Sequence, residues 1–206
     1  EVIGPLEFRT WFAGRSVCRE RGVRWDGRGF VTAARAFEPE LPGRNPFFRD
    51  VNRRLREEAR DFNSSFIRST WQRDWTMWTS WEDLWSLSPF SDFEQTTLWV
   101  IEHATPTLVS VSADSYAYTG GAHGNTDFVA HNFVLRNGEL AELRLAELFR
   151  PDSGWQTVLH RACIAELEEM YADWPPDEDK PDETTGPRRS FVVTPAGLRL
   201  FFAPYE

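Results

Sequence analysis

The residues best equipped for chemistry lie between Tyr116 and His131. Here Tyr116-Ala117-Tyr118-Thr119-Gly120-Gly121-Ala122-His123-Gly124-Asn125 follows a strand-like run and precedes Asp127 and His131. Histidine and carboxylate are legitimate metal ligands. Asp127 and His131, however, fall on a predicted strand, where residues four apart share a face but stand about 13 Å apart, so no metal site is expected. The three glycines suggest a phosphate cradle, yet neither Gly-x-x-x-x-Gly-Lys-Ser/Thr nor Gly-x-Gly-x-x-Gly is present. A strand is also expected to follow, leaving no helix N-terminus to hold an anion. Two readings remain for the loop. It is a tight inter-strand turn with His123 hydrogen-bonded inside it, or a contact surface in which Tyr116, Tyr118, Gly120, Gly121 and His123 meet a ligand.

A second cluster is aromatic. Trp71, Trp75, Trp78, Trp81 and Trp85 recur at three- and four-residue spacing, which suits a helical stripe. Ser80 with Asp83 forms a capping-box pattern for a fresh helix. Such rings either fill a core or, through Trp78 and Trp81, add an exposed platform for a sugar or protein. Nucleophilic catalysis finds no support, since no Gly-x-Ser-x-Gly elbow occurs. Cys18 and Cys163 either form a disulfide, should the protein be exported, or remain two buried thiols. A bridge closing so long a loop would stabilise the fold by roughly 4–5 kcal/mol in the chain-entropy model.

The elements that must position these residues follow from periodicity. Residues 1–44 read as strands and turns, with Asp26-Gly27-Arg28-Gly29 as a turn and Phe30 to Phe37 as a strand ended by Pro39, Pro42 and Gly43. Asn45-Pro46 opens a helix as cap and first-turn proline. Its apolar face is Phe47, Phe48, Val51, Leu55, Ala59, Phe62 and Phe66, and the charged residues, Glu58 among them, mostly take the other side. Strands are expected at Thr96 to Glu102, Thr107 to Tyr118 and Phe128 to Arg136, the last closed by the hairpin signal Asn137-Gly138. Leu143 to Phe149 suits a short helical turn. Asp152 or Ser153 then caps a second helix whose predicted apolar face is Trp155, Val158, Leu159, Ala162, Leu167, Met170 and Tyr171. Residues 174–189 read as an exposed, acidic, proline-rich loop, and Phe191 to Ala203 as a closing hairpin.

Bulk composition sets limits. The 206 residues are 41% hydrophobic and 15% aromatic, enough for a core without staples. A net charge of −9 argues against nucleic-acid binding, which needs a basic surface. No apolar run approaches the length of a membrane span, so any membrane attachment is expected through an anchor outside this chain. The chain begins at Glu1 rather than methionine, consistent with removal of an upstream signal or anchor segment.

The string Tyr-x-Tyr-Thr-Gly-Gly-Ala-His-Gly at residues 116–124 resembles the signature of a bacterial envelope family of unknown function. That family is shared by the extracellular part of the anti-sigma factor RsiV and the N-terminal region of the peptidoglycan deacetylase PdaC. Asn132-Phe133-Val134-Leu135, Leu145 to Phe149 and Phe191-Val192-Val193-Thr194-Pro195-Ala196-Gly197-Leu198 resemble later family segments. Phe201 to Glu206 resembles the entry to its C-terminal motif, so further residues are expected beyond Glu206. The tryptophan-rich stretch departs from the family pattern.

The resemblance implies an α+β fold, with largely antiparallel sheets and two main helices packed on them. It divides the chain into an N-terminal subdomain over residues 1–126 and a C-terminal one over residues 127–206, packed as one unit. It implies an extracytoplasmic, non-catalytic binding or sensor module without cofactor, recognising a lysozyme-like protein or a cell-wall glycan. The alternatives are a carbohydrate-active enzyme of the cell wall and a structural lipoprotein domain without a ligand.

Overall fold

The computed structural model describes residues 2–11, 15–24, 31–71, 93–120, 122–170, 186 and 189–202. Seven strands form one sheet in sequence order: β1 (Val2–Trp11), β2 (Arg15–Arg24), β3 (Val31–Glu40), β4 (Phe93–Ala104), β5 (Leu108–Tyr118), β6 (Asn125–Arg136) and β7 (Glu139–Glu142). Neighbours pair antiparallel except β3 and β4, which run parallel from Thr32↔Phe93 to Phe37↔Leu98. A parallel pair needs a crossover, and helix α1 (Pro46–Trp71) lies on the connection that makes it. A 3-10 turn at Leu145–Leu148, helix α2 (Trp155–Met170) and a two-stranded hairpin, β8 (Phe191–Thr194) with β9 (Gly197–Leu200), complete an α+β fold.

Asn45 caps α1 as expected. Its Oδ1 accepts the Phe47 N–H at 3.0 Å, and its amide reaches across to the Pro106 carbonyl at 3.3 Å. The apolar stripe of α1 then packs on one face of the sheet. Leu41, Phe47, Val51 and Leu55 meet Trp99 of β4, Val109, Val111 and Ala113 of β5, and Phe133 of β6. A smaller cluster of Phe66, Phe93 and Ala117 closes the far end. Asn52 is also buried on this helix. It accepts the Leu41 N–H at 2.9 Å and donates to the Leu41 carbonyl at 3.0 Å, tying the helix to the chain leaving β3.

β3 does not stop at Pro39 but runs to Glu40, with Pro39 opposite Ser16 of β2. β4 accompanies β3 only as far as Phe37, so Pro39 lies where β3 has a partner on the β2 side alone, a position that tolerates proline. Asn137 and Gly138 both have positive φ, 53° and 84°, as a tight β6–β7 hairpin requires.

The buried ridge of α2 is His160, Ile164 and Leu167, whereas Val158 is 70% exposed. The predicted face was therefore rotated. The i, i+4, i+7 row that the helix buries begins with a histidine, which an apolar count passes over. Trp155 instead stacks on Phe149 before the helix, their rings 4.5 Å apart and 3° from parallel.

Candidate functional site

With α1 on one face, the even-numbered side chains of β4, β5 and β6 point to the other. The β8–β9 hairpin covers one end of that second face. There Ser110 donates to Asn132 Oδ1 at 2.6 Å, Asn132 Nδ2 donates to the Phe191 carbonyl at 2.7 Å, and the Val193 N–H is shared between Asn132 Oδ1 and Ser110 Oγ at 3.2 and 3.3 Å. Next to it, Glu102 Oε1 accepts from the Ser112 hydroxyl at 2.7 Å, and both Glu102 carboxylate oxygens accept from Arg199 Nη1 at 3.0 Å. Phe128 stacks on Phe201, with centroids 5.7 Å apart.

Beyond the hairpin the face is open. Leu98, Val100 and Tyr116 are 47, 43 and 39% exposed. The register sets Thr96 opposite Tyr116, Leu98 opposite Asp114, and Val100 opposite Ser112, so the exposed apolar groups adjoin one another with an exposed carboxylate among them. This patch runs into the loop singled out by the sequence. Gly124 lies directly against the Tyr116 ring: a Cβ there would stand 2.4 Å from two ring carbons and 2.5 Å from the hydroxyl. Only glycine permits that approach. His123 is exposed, and its Nδ1 lies 3.0 Å from the Gly124 carbonyl, a contact inside its own loop. Tyr118 is half-buried, and Gly120 sits beside Phe93. Gly121, Trp78 and Trp81 lie outside the described residues, as does most of the acidic 174–189 stretch.

Substituting Gly124→Ala is expected to drive the Tyr116 ring off the loop and lower stability by about 1 kcal/mol, the low end of overpacking because the exposed ring can move. Thermal unfolding with NMR shifts of the Tyr116 ring checks this. Wild-type shifts and an unchanged Tm would mean that the ring does not rest there.

The structure separates the three residues first weighed as metal ligands. Asp127 accepts the N–H of Phe128 at 2.8 Å, and His123 stays in its loop. His131 faces α1, where it meets two carboxylates. Its Nδ1 is 2.7 Å from Glu142 Oε1 of β7, and its Nε2 is 2.6 Å from Glu58 Oε2 of α1. The Nε2 contact is short but off the N–H direction, so it is an ion pair by distance without an aligned hydrogen bond. The ring lies 21° from parallel with Trp99 and 16° from parallel with Phe133. Burial alone would push the imidazole pKa down, but Glu58 and then Glu142 outweigh it and hold His131 above its ordinary value. Burial alone would push the Glu58 carboxyl up, but His131, and then Arg54 at 2.9 Å, outweigh it and hold Glu58 below its ordinary value.

Sequence reasoning placed Glu58 on the solvated side of α1. The available signal was its position three after Leu55 and next to Ala59, which puts it on the shoulder of the apolar stripe. Cys163 is a free, half-buried thiol, raised in pKa by burial against the opposing charge of Arg189. Cys18 lies on β2, and its side chain is outside the described residues.

Residues 39–126 match the family model described as Deacetylase PdaC, and residues 146–206 match that described as Protein of unknown function (DUF3298). The two matched segments follow one another along the chain, separated by residues 127–145. A DUF3298 family protein from Pseudomonas aeruginosa PAO1 is similar in structure, with 14% identity and a TM-score of 0.39, over 85% of this chain and 76% of that one. A member of the same family from Bacteroides fragilis NCTC 9343 has 14% identity and a TM-score of 0.47, over 100% of this chain and 89% of that one. A search among curated proteins gave no match.

The open face and the glycine–histidine loop lie within the residues that match the PdaC model. The covering hairpin lies within those that match the DUF3298 model. Asn132, between the two matched ranges, joins Ser110 of the first to Phe191 and Val193 of the second.

Proposed function

We infer that this PdaC–DUF3298 chain is an extracytoplasmic, non-catalytic binding module of a bacterial envelope protein. Its contact surface is the open sheet face around Leu98, Val100 and Tyr116 with the adjoining His123 loop. The observation that carries this reading is the contiguous exposure of those three side chains beside a loop shaped by Gly124. Strands that face water on one side normally present polar groups there, and an apolar patch left open by a covering hairpin marks a place for a partner. The preferred ligand is a protein, in keeping with the resemblance to the lysozyme-sensing region of the anti-sigma factor. Asp114 within the patch and the chain's net charge of −9 suit a basic partner. The exposed Tyr116 ring favours a second reading, stacking on a cell-wall sugar.

Calorimetric titration with lysozyme, and separately with soluble peptidoglycan fragments, tests both. Saturable binding to one of them is expected. The paired change Leu98→Asp and Tyr116→Ala is expected to weaken it by roughly 30-fold, the loss of a hot-spot residue worth about 2 kcal/mol. Binding by neither ligand would remove the reading. Binding that ignores the paired change would move the surface elsewhere.

A further inference from the structure

The geometry points to a proton-operated clasp: Glu58 on α1, His131 on β6 and Glu142 on β7 hold the helix and the edge strand to the sheet while the imidazole carries a proton on each nitrogen, and release them when it loses one. It lies on the face opposite the binding surface and does not depend on that surface's function.

The two ring nitrogens of His131 have different partners. Each stands within 2.7 Å of a carboxylate oxygen from a different element. A neutral imidazole has one N–H and one lone pair. In that state one of the two contacts would set a lone pair against an anionic oxygen. Only the doubly protonated ring suits both. The Glu58 contact lacks an aligned hydrogen bond, so it rests on charge, and a neutral ring would leave Glu58 without that attraction. The faces of Trp99 and Phe133, near-parallel to the ring, also favour a cation. From α1 the charged groups at the cluster are Glu58 and Arg54, and from β7 Glu142. β4 and β5 contribute Trp99 and Val111, which do not titrate. Glu142 is 57% exposed, so the clasp exchanges protons with solvent, and β7 is only four residues long.

The direction follows from the raised pKa of His131 and the lowered pKa of Glu58. The histidine's contribution is complete below its unfolded value, about 6.5, and is lost as pH rises through its folded value. Glu58 contributes above its unfolded value, about 4.3, and that part is lost as pH falls through its folded value. The clasp is closed between the two.

NMR titration of the four imidazoles, with hydrogen exchange of the α1 and β7 amides followed over the same pH range, tests the proposal. His131 is expected to titrate above the ordinary histidine value, and Glu142→Gln to lower its midpoint. Opening of β7 and the middle of α1 is expected to increase up to about tenfold per pH unit between the unfolded and folded midpoints, the limit for one proton. In His131→Gln this pH dependence should vanish. If that variant does not fold, Glu142→Gln, altered at an exposed side chain, still carries the test. A wild-type His131 midpoint at or below the ordinary value would overturn the clasp, as would β7 and α1 exchange that keeps its pH profile when Glu142 is changed.

Discussion

Replacing Asn132 by alanine is expected to destabilise the protein by about 3–4 kcal/mol, more than the loss of three heavy atoms suggests. The side chain is almost completely buried and meets three groups, Ser110 Oγ, the Phe191 carbonyl and the Val193 N–H. A buried group that loses its partner costs about 1–3 kcal/mol, because water cannot replace the bond. Val193 keeps a share of Ser110 Oγ at 3.3 Å, so its N–H is not fully orphaned. The Phe191 carbonyl has no such second partner in this network. The loss should also be local. Arg199 still reaches Glu102, but the hairpin's buried anchor is gone. Amide exchange at Val193 and across β8–β9 should quicken more than exchange in β5, and the urea midpoint should fall. Asn132→Asp tests the chemistry. It keeps the acceptor for Ser110 and Val193 but sets a carboxyl oxygen against the Phe191 carbonyl. Its folded pKa should rise, so the variant is most stable in acid and loses that stability as pH climbs above the ordinary aspartate range, about 3.9. A midpoint within about 0.5 kcal/mol of wild type for Asn132→Ala would show that Asn132 is not the anchor.

The position of that anchor shows what the sequence makes legible. α1 was readable because its signals are local: Asn45 and Pro46 mark the start, and residues at three- and four-residue spacing mark the buried face. The order of β4, β5 and β6 was readable for the same reason, with Asn137-Gly138 supplying the hairpin to β7. Ser110 and Ser112 were not readable as buried. On β5 they alternate with Val109, Val111 and Ala113, the pattern of a strand with a polar face in water. What covers them is a hairpin whose Val193 lies 83 residues after Ser110, and no local pattern records that packing.

The site divides in the same way. The Tyr116–His123 loop was found through its glycines, and Gly124 supplies the close approach that such a residue suggests. The open apolar face was not visible, because exposure of Leu98 and Val100 depends on where the β8–β9 hairpin ends. His131 was considered for metal binding with residues near it in sequence. Its actual partners are 73 positions before it and 11 after it, on α1 and β7. The carboxylates that meet His131 sit on elements that only the crossover and the β6–β7 hairpin bring together.

Leu55→Ala is expected to cost about 3–4 kcal/mol and, for a protein of this size, to lower Tm by roughly 10 °C. Leu55 has no exposed surface and sits in the middle of the principal cluster, with α1 on one side and the β4–β6 strands on the other. Its removal loses the transfer free energy of the missing carbons and leaves a cavity that a long helix, capped at Asn45 and tied at Asn52, is poorly able to close. The urea midpoint should fall with little change in slope, since the same surface is exposed on unfolding. The matched control is Val158→Ala on α2. The apolar count put Val158 on a buried face, whereas the fold leaves it 70% exposed. It should change stability by less than about 0.5 kcal/mol. The pair separates two ways of choosing a core residue, hydrophobic spacing along one helix and burial by the whole fold. Equal losses at the two positions would mean that α2 buries a different face from the His160, Ile164 and Leu167 ridge. A negligible loss at Leu55 would mean that α1 does not seal the sheet, and the His131 cluster beneath it would then be open to water.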